Sequence, residues 1–180
     1  MEFQEIISFW YGDSVKPLWF NSTTEFDQTL KERFETTYLA ARNGKLDDWK
    51  DSGLGLLALV ILYDQIPLNI YRGNAKGFET EALARDMAEI AIKNGWDKTL
   101  SREQQAFLYM PFMHSENLDD QDRGIAFFEA AGLTENAKFA HHHRAIIERF
   151  GRFPHRNTIL GRESSEAELA YLNSGEAFLG

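Results

Sequence analysis

The chain has no cysteine and only four prolines among its 180 residues. Without thiols, disulfides, thiolate catalysis and cysteine-ligated zinc are excluded. That absence fits a reducing compartment, and cytoplasmic localisation is the expectation. The opening "MEFQEIISFW" has two acids and no basic n-region, so it is not read as a signal peptide. The longest apolar run, "LGLLALVILY" at 54–63, is too short to cross a bilayer. Positive charge is scarce as well. A net charge of −9 argues against sequence-independent binding to nucleic acid and against anionic membranes, since both present phosphates.

Apolar side chains are plentiful. Hydrophobic residues make up 43%, with 14 Phe, six Tyr and four Trp, so disorder is a poor reading and one domain, residues 1–180, is expected. The tryptophans (10, 19, 49, 96) read as core and helix-packing residues.

Helix signals recur along the chain. "IISFW" (6–10) is a short apolar helix. Phe26, Leu30, Phe34, Tyr38 and Ala41 form a stripe at spacings of three and four, with "STTE" (22–25) as its capping box and Gly44 as its stop. Residues 54–65 are apolar on nearly every side. Leu and Ala predominate over Val and Ile, which predicts a buried helix ended by Pro67. Further helices are predicted over 80–94 (Leu83, Met87, Ile90, Ala91), from "SREQ" (101–104) to a stop before Pro111, and over 117–131. Another is predicted over 134–150, with Phe139, His143, Ile146, Ile147 and Phe150 on one face. The last follows the Ser165/Glu168 capping box. The fold class is all-α, a multi-helix domain of about eight helices.

Several motifs fail on context. "GLGLLA" (53–58) matches a dinucleotide-binding pattern, but "LDDWKDS" before it is no strand. "HSE" (114–116) lacks the cysteines of a zinc deaminase. "HHH" (141–143) cannot present three rings to one ion, because consecutive helical residues diverge by ~100°. His143 reads as a packed core histidine. No cofactor and no metal is predicted.

Polar clusters survive. "LYDQIPLNIYRG" (62–73) carries Asp64, Gln65, Asn69 and Arg72. "LYMPFMHSENLDDQ" (108–121) carries His114, Ser115, Glu116 and Gln121, with Ser115 read as a helix cap. Residues 139–162 hold five arginines against one glutamate, net +4, inside an acidic chain. These clusters, with "ISFWYGD", "LWF", "LDDWKDS" and above all "IIERFGRFPHRNTILGRES" (146–164), resemble the bacterial family called domain of unknown function 924 over about residues 3–172. The resemblance implies a helical fold similar to tetratricopeptide-repeat arrangements and brings no established reaction. The chain departs from the family pattern at Leu68, usually Arg, and at Asn117, usually Asp.

Gly151 and Pro154 predict an irregular segment after the 134–150 helix. Arg149, Arg152, Arg156, Asn157 and Arg162, with Arg72 and Asn69, form a candidate site for a small carboxylate or phosphate. Phe150 and Phe153 would wall it. His155 or His114 would handle protons, oriented by Asp64 or Glu116. Two alternatives stand beside it. The arginines pair with acids such as Asp64, Glu116 or Asp122 as structural clamps, or the helices offer a groove to a partner protein or peptide. Whether the protein is an enzyme, and its oligomeric state, are open from sequence.

Overall fold

Cap chemistry sets where most helices begin. In the computed structural model, which describes residues 1–178, Glu2 and Glu5 form a reciprocal capping box at the start of α1 (Phe3–Trp10). Helix α2 (Thr24–Arg42) is capped by Thr23, whose hydroxyl accepts from the Phe26 amide at 3.2 Å. The cap is one residue later than expected, because the Ser22 hydroxyl instead donates to Asp27 at 2.7 Å. The remaining helices are α3 (Gly53–Ile70), α4 (Glu81–Lys93), α5 (Arg102–Met113), α6 (Leu118–Ala130), α7 (Thr134–Phe150) and α8 (Glu166–Leu172). No strand occurs among the described residues.

The chain divides into two compact units. The first comprises Met1–Arg72 and Lys76–Pro111; among the described residues the second comprises 73–75 and 112–178. In the first unit, α1, α2 and α4 pack around α3. The α2 stripe is buried as its spacing predicts, with Leu30, Phe34 and Tyr38 at 0% exposure. On α4 the inward face is Ala84, Met87, Ala88 and Ala91. Leu83 and Ile90 lie at its margin, since three alanines let α4 approach α3 closely.

Helix α3 runs beyond the predicted stop. It is α-helical over Gly53–Val60, π-helical over Ile61–Gln65 and α-helical again over Ile66–Ile70. A proline at 67 would press on the Tyr63 carbonyl and leave it without an amide partner. The wider π turn relieves the crowding, and the buried Thr80 hydroxyl donates to that carbonyl at 2.7 Å. The 18-residue helix is long and apolar enough to cross a membrane, but 72% of it is buried inside the protein, as a core helix would be.

Pro111 does not stop α5 either. Burial of Phe112 and Met113 carries the helix on to Met113, and the fully buried Gln121 amide donates to the carbonyls of Met113 and Ser115, each at 2.7 Å. In the second unit, α6 and α7 pack on each other. Gly124 lets α6 meet Phe112, whose Cβ a methyl at that position would crowd. Phe139, expected on the inner face of α7, is 58% exposed, because Ala137 and Ala140 take the inward positions.

Candidate functional site

Gly151 adopts the left-handed conformation at φ 70° and ends α7. The chain then turns through a 3₁₀ segment at Pro154–Arg156 and returns to α8. This irregular stretch brings two arginines onto two glutamates. Arg152 donates through Nε and Nη2 to the Glu168 carboxylate at 2.7 and 2.9 Å, and through Nη2 to the Glu163 carbonyl at 2.8 Å. Arg162 donates through Nη1 and Nη2 to Glu116 at 2.7 and 2.9 Å, and through Nε to Asn157 Oδ1 at 3.0 Å. Asn157 is fully buried and passes its own amide to the Ser164 hydroxyl at 3.0 Å. Glu116 also accepts from the Phe153 backbone amide at 2.8 Å.

The carboxylates respond accordingly. Bonding to Arg152 holds the Glu168 pKa down at about 2, against the opposing effect of burial. Burial works to raise Glu116, yet its bonds to Arg162 and the Phe153 amide leave it below the usual range. Arg152 and Arg162 are thus internal clamps. Arg156 is 6% exposed and lies over the Phe153 ring at 4.6 Å.

Arg149 is placed differently. Its guanidinium lies over the Phe150 ring at 4.7 Å and 5.9 Å from the centre of the Tyr171 ring, and it makes no ion pair or hydrogen bond among the described residues. It lines an open depression of about 490 Å3 with Phe150, Arg152, Ser165, Ala167 and Glu168. Phe150 is part of that lining. Phe153 is not, being wholly buried beneath Arg156.

The second unit also holds the histidines. His143 is 5% exposed, and its Nδ1 bonds the Phe139 carbonyl at 2.7 Å. Burial pushes its pKa down to about 4, with further depression from His114, His142 and His155. His155 is half-buried, its Nδ1 enclosed without a hydrogen-bond partner. Burial, then Arg156, lowers it to about 4 as well. Both rings are therefore neutral at pH 7.

Other predicted residues lie in the first unit. Arg72 donates to Asp27 at 2.7 and 3.1 Å and to Asn69 at 3.0 Å. Asp64 sits in the π turn, 1% exposed, and accepts from the Gln65 side chain at 2.5 Å. Among the described residues no group of three or more His, Asp or Glu is arranged to hold a metal ion. The dinucleotide-like "GLGLLA" is accounted for by packing. The Gly55 amide donates to the Ser52 cap at 3.1 Å, and a side chain there would collide with the Trp49 carbonyl.

A family model for bacterial proteins of unknown function (DUF924) matches residues 6–176. The chain belongs to the DUF924 family. A solved structure of a protein of unknown function, ATU0120 from Agrobacterium tumefaciens, is 38% identical, with a TM-score of 0.91 over 96% of this chain and 97% of that one. No curated protein matches the sequence. The DUF924 match spans both clamps and the depression. The departure at Asn117 has a structural account. Asn117, rather than Ser115, is the α6 cap, its Oδ1 accepting from the amides of Asp119 and Asp120 as an aspartate would. Ser115 joins that cap network, donating to Asp120 at 2.6 Å. Leu68 is half-buried, and nothing in the structure explains its departure. Ser165 and Glu168 were legible in sequence only as a capping box, which they form. Their second place, beside Arg149, depends on how α8 meets α7.

Proposed function

We propose that this protein binds a small organic anion, a carboxylate or phosphate ester with an apolar body, in the depression beside Arg149. The observation that carries the reading is the Arg149 guanidinium, set over aromatic rings with no ion pair or hydrogen bond among the described residues. Around it the available groups are donors. Arg152 keeps Nη1 beyond its bonds to Glu168 and Glu163, and the Ser165 hydroxyl, which accepts from the Glu168 amide, retains its own hydrogen. The Glu168 oxygens are already engaged by Arg152 and the Ser165 amide. Two guanidinium charges against one carboxylate leave the depression net positive within an acidic protein. Phe150 and Ala167 supply apolar contact, so an anion with a hydrocarbon part fits better than inorganic phosphate.

The test is calorimetric titration with a panel of aryl and alkyl carboxylates and phosphate esters. A binder should weaken about tenfold in Arg149→Lys, which keeps charge and loses the planar fork, and further in Arg149→Ala. Arg149 is exposed, so neither change should disturb folding. Equal affinity for wild type and Arg149→Ala removes the proposal. The partner-binding scaffold reading keeps the Arg152 and Arg162 clamps but needs a docking face. On α7 the exposed hydrophobic ring of Phe139 is in its favour.

A further inference from the structure

After α8 the chain turns back. Ser174 closes the turn on the Tyr171 carbonyl, through its amide at 2.9 Å and its hydroxyl at 2.7 Å. The Phe178 amide then donates to the Tyr171 hydroxyl at 2.9 Å. Residues 173–176 are exposed, and Gly175 has open space around it. Ala177 and Phe178 pack against the cluster of Ile146, Ile147, Phe153 and Tyr171. Phe178 lies 4.5 Å from the His143 ring, 5.2 Å from His155 and 6.3 Å from His142, all at steep angles. Phe153 backs the same slot, 5.6 Å from both His143 and His155.

The occupant does not match its walls. A phenylalanine offers only carbon, yet the His155 ring beside it, 5.2 Å away, carries an enclosed Nδ1 with no hydrogen-bond partner. An enclosed polar atom without a partner is costly and calls for an explanation. His143, by contrast, is satisfied by the Phe139 carbonyl.

We infer that the slot between His143 and His155 is a binding site for a planar aromatic molecule bearing one polar atom, and that Phe178 occupies it as an internal stand-in. The ligand ring takes the place of the Phe178 ring, and its polar atom bonds His155 Nδ1. The strap is exposed over residues 173–176, and its end is held by Ala177, the Phe178 ring and the Tyr171 hydroxyl, so it belongs to the part of the unit that opens most readily. The inference is independent of the Arg149 depression, whose lining includes neither histidine.

Phenol and benzene are the probes, matched in shape and different in one hydroxyl. In Phe178→Ala, phenol at ten times its Kd should raise the melting temperature by about 3–5 °C, and benzene by clearly less. Adding His155→Ala should erase the difference between the two, while adding Arg149→Ala should leave it intact. Wild type supplies a second reading if Phe178→Ala does not fold. Phenol should saturably shift the NMR resonances of the His155 ring and of the Phe178 amide as the strap is displaced. A cavity without specificity would treat both probes alike. Equal responses to phenol and benzene, or no response in either variant or wild type, overturn the proposal.

Discussion

A methyl group at Gly55 would overlap the backbone carbonyl of Trp49, which cannot swing away as a side-chain tip would. Gly55→Ala should therefore destabilise the protein by about 2–3 kcal/mol in urea unfolding, the upper part of the overpacking range. A nucleotide-binding role would instead predict a folded protein that had lost a ligand. The same scale explains the arginines. Arg152 and Arg162 meet carboxylates with two bonds each, and Arg144 pairs with Asp122 and Glu148. Sequence made all of these residues visible as a basic segment. It did not sort them, because an arginine engaged by an internal acid and one facing solvent have the same side chain. Arg149, just before the Gly151 stop, is exposed and meets no acid among the described residues.

At the scale of elements, the caps were the legible part. Ser101 with Gln104 and Ser165 with Glu168 work as local side-chain chemistry dictates, and the cap read at Ser22 falls one residue on, at Thr23. The prolines were not legible. Pro67 and Pro111 were expected to end helices, and both lie within helices that continue. The rule behind that expectation assumes that the orphaned carbonyl finds no other donor. For Pro67 the donor is Thr80, distant in sequence. Thr80→Val removes the hydroxyl while keeping the shape, and leaves the Tyr63 carbonyl buried and unpaired. It should cost about 1–3 kcal/mol by denaturant unfolding. If stability is unchanged, the π turn does not depend on Thr80.

At the scale of the whole molecule, pH should act in one direction. His143 and His155 titrate at about 4 in the folded state, against about 6.5 when unfolded. The unfolded chain therefore binds more protons between these values. Stability is full above pH 6.5 and falls as pH drops toward 4, on the order of 3 kcal/mol from His143 alone. Glu168, held at about 2, adds stability that is full above pH 4.5 and is lost as pH falls further toward 2. Urea midpoints at pH 7.5, 5.5, 4.5 and 3.5 should decline throughout, and His143→Leu should flatten the upper part. A midpoint constant from pH 7 to 4.5 would contradict the neutral, buried state of these rings. The all-α class, the helix stripes and most helix starts were determined by sequence alone, because periodicity and capping act within a few residues. Tertiary structure decided which arginines are neutralised, how helix α3 passes a proline, and that a phenylalanine lies between two histidines. Each of those outcomes depends on a partner contributed by another element, and the chain must fold before the two meet.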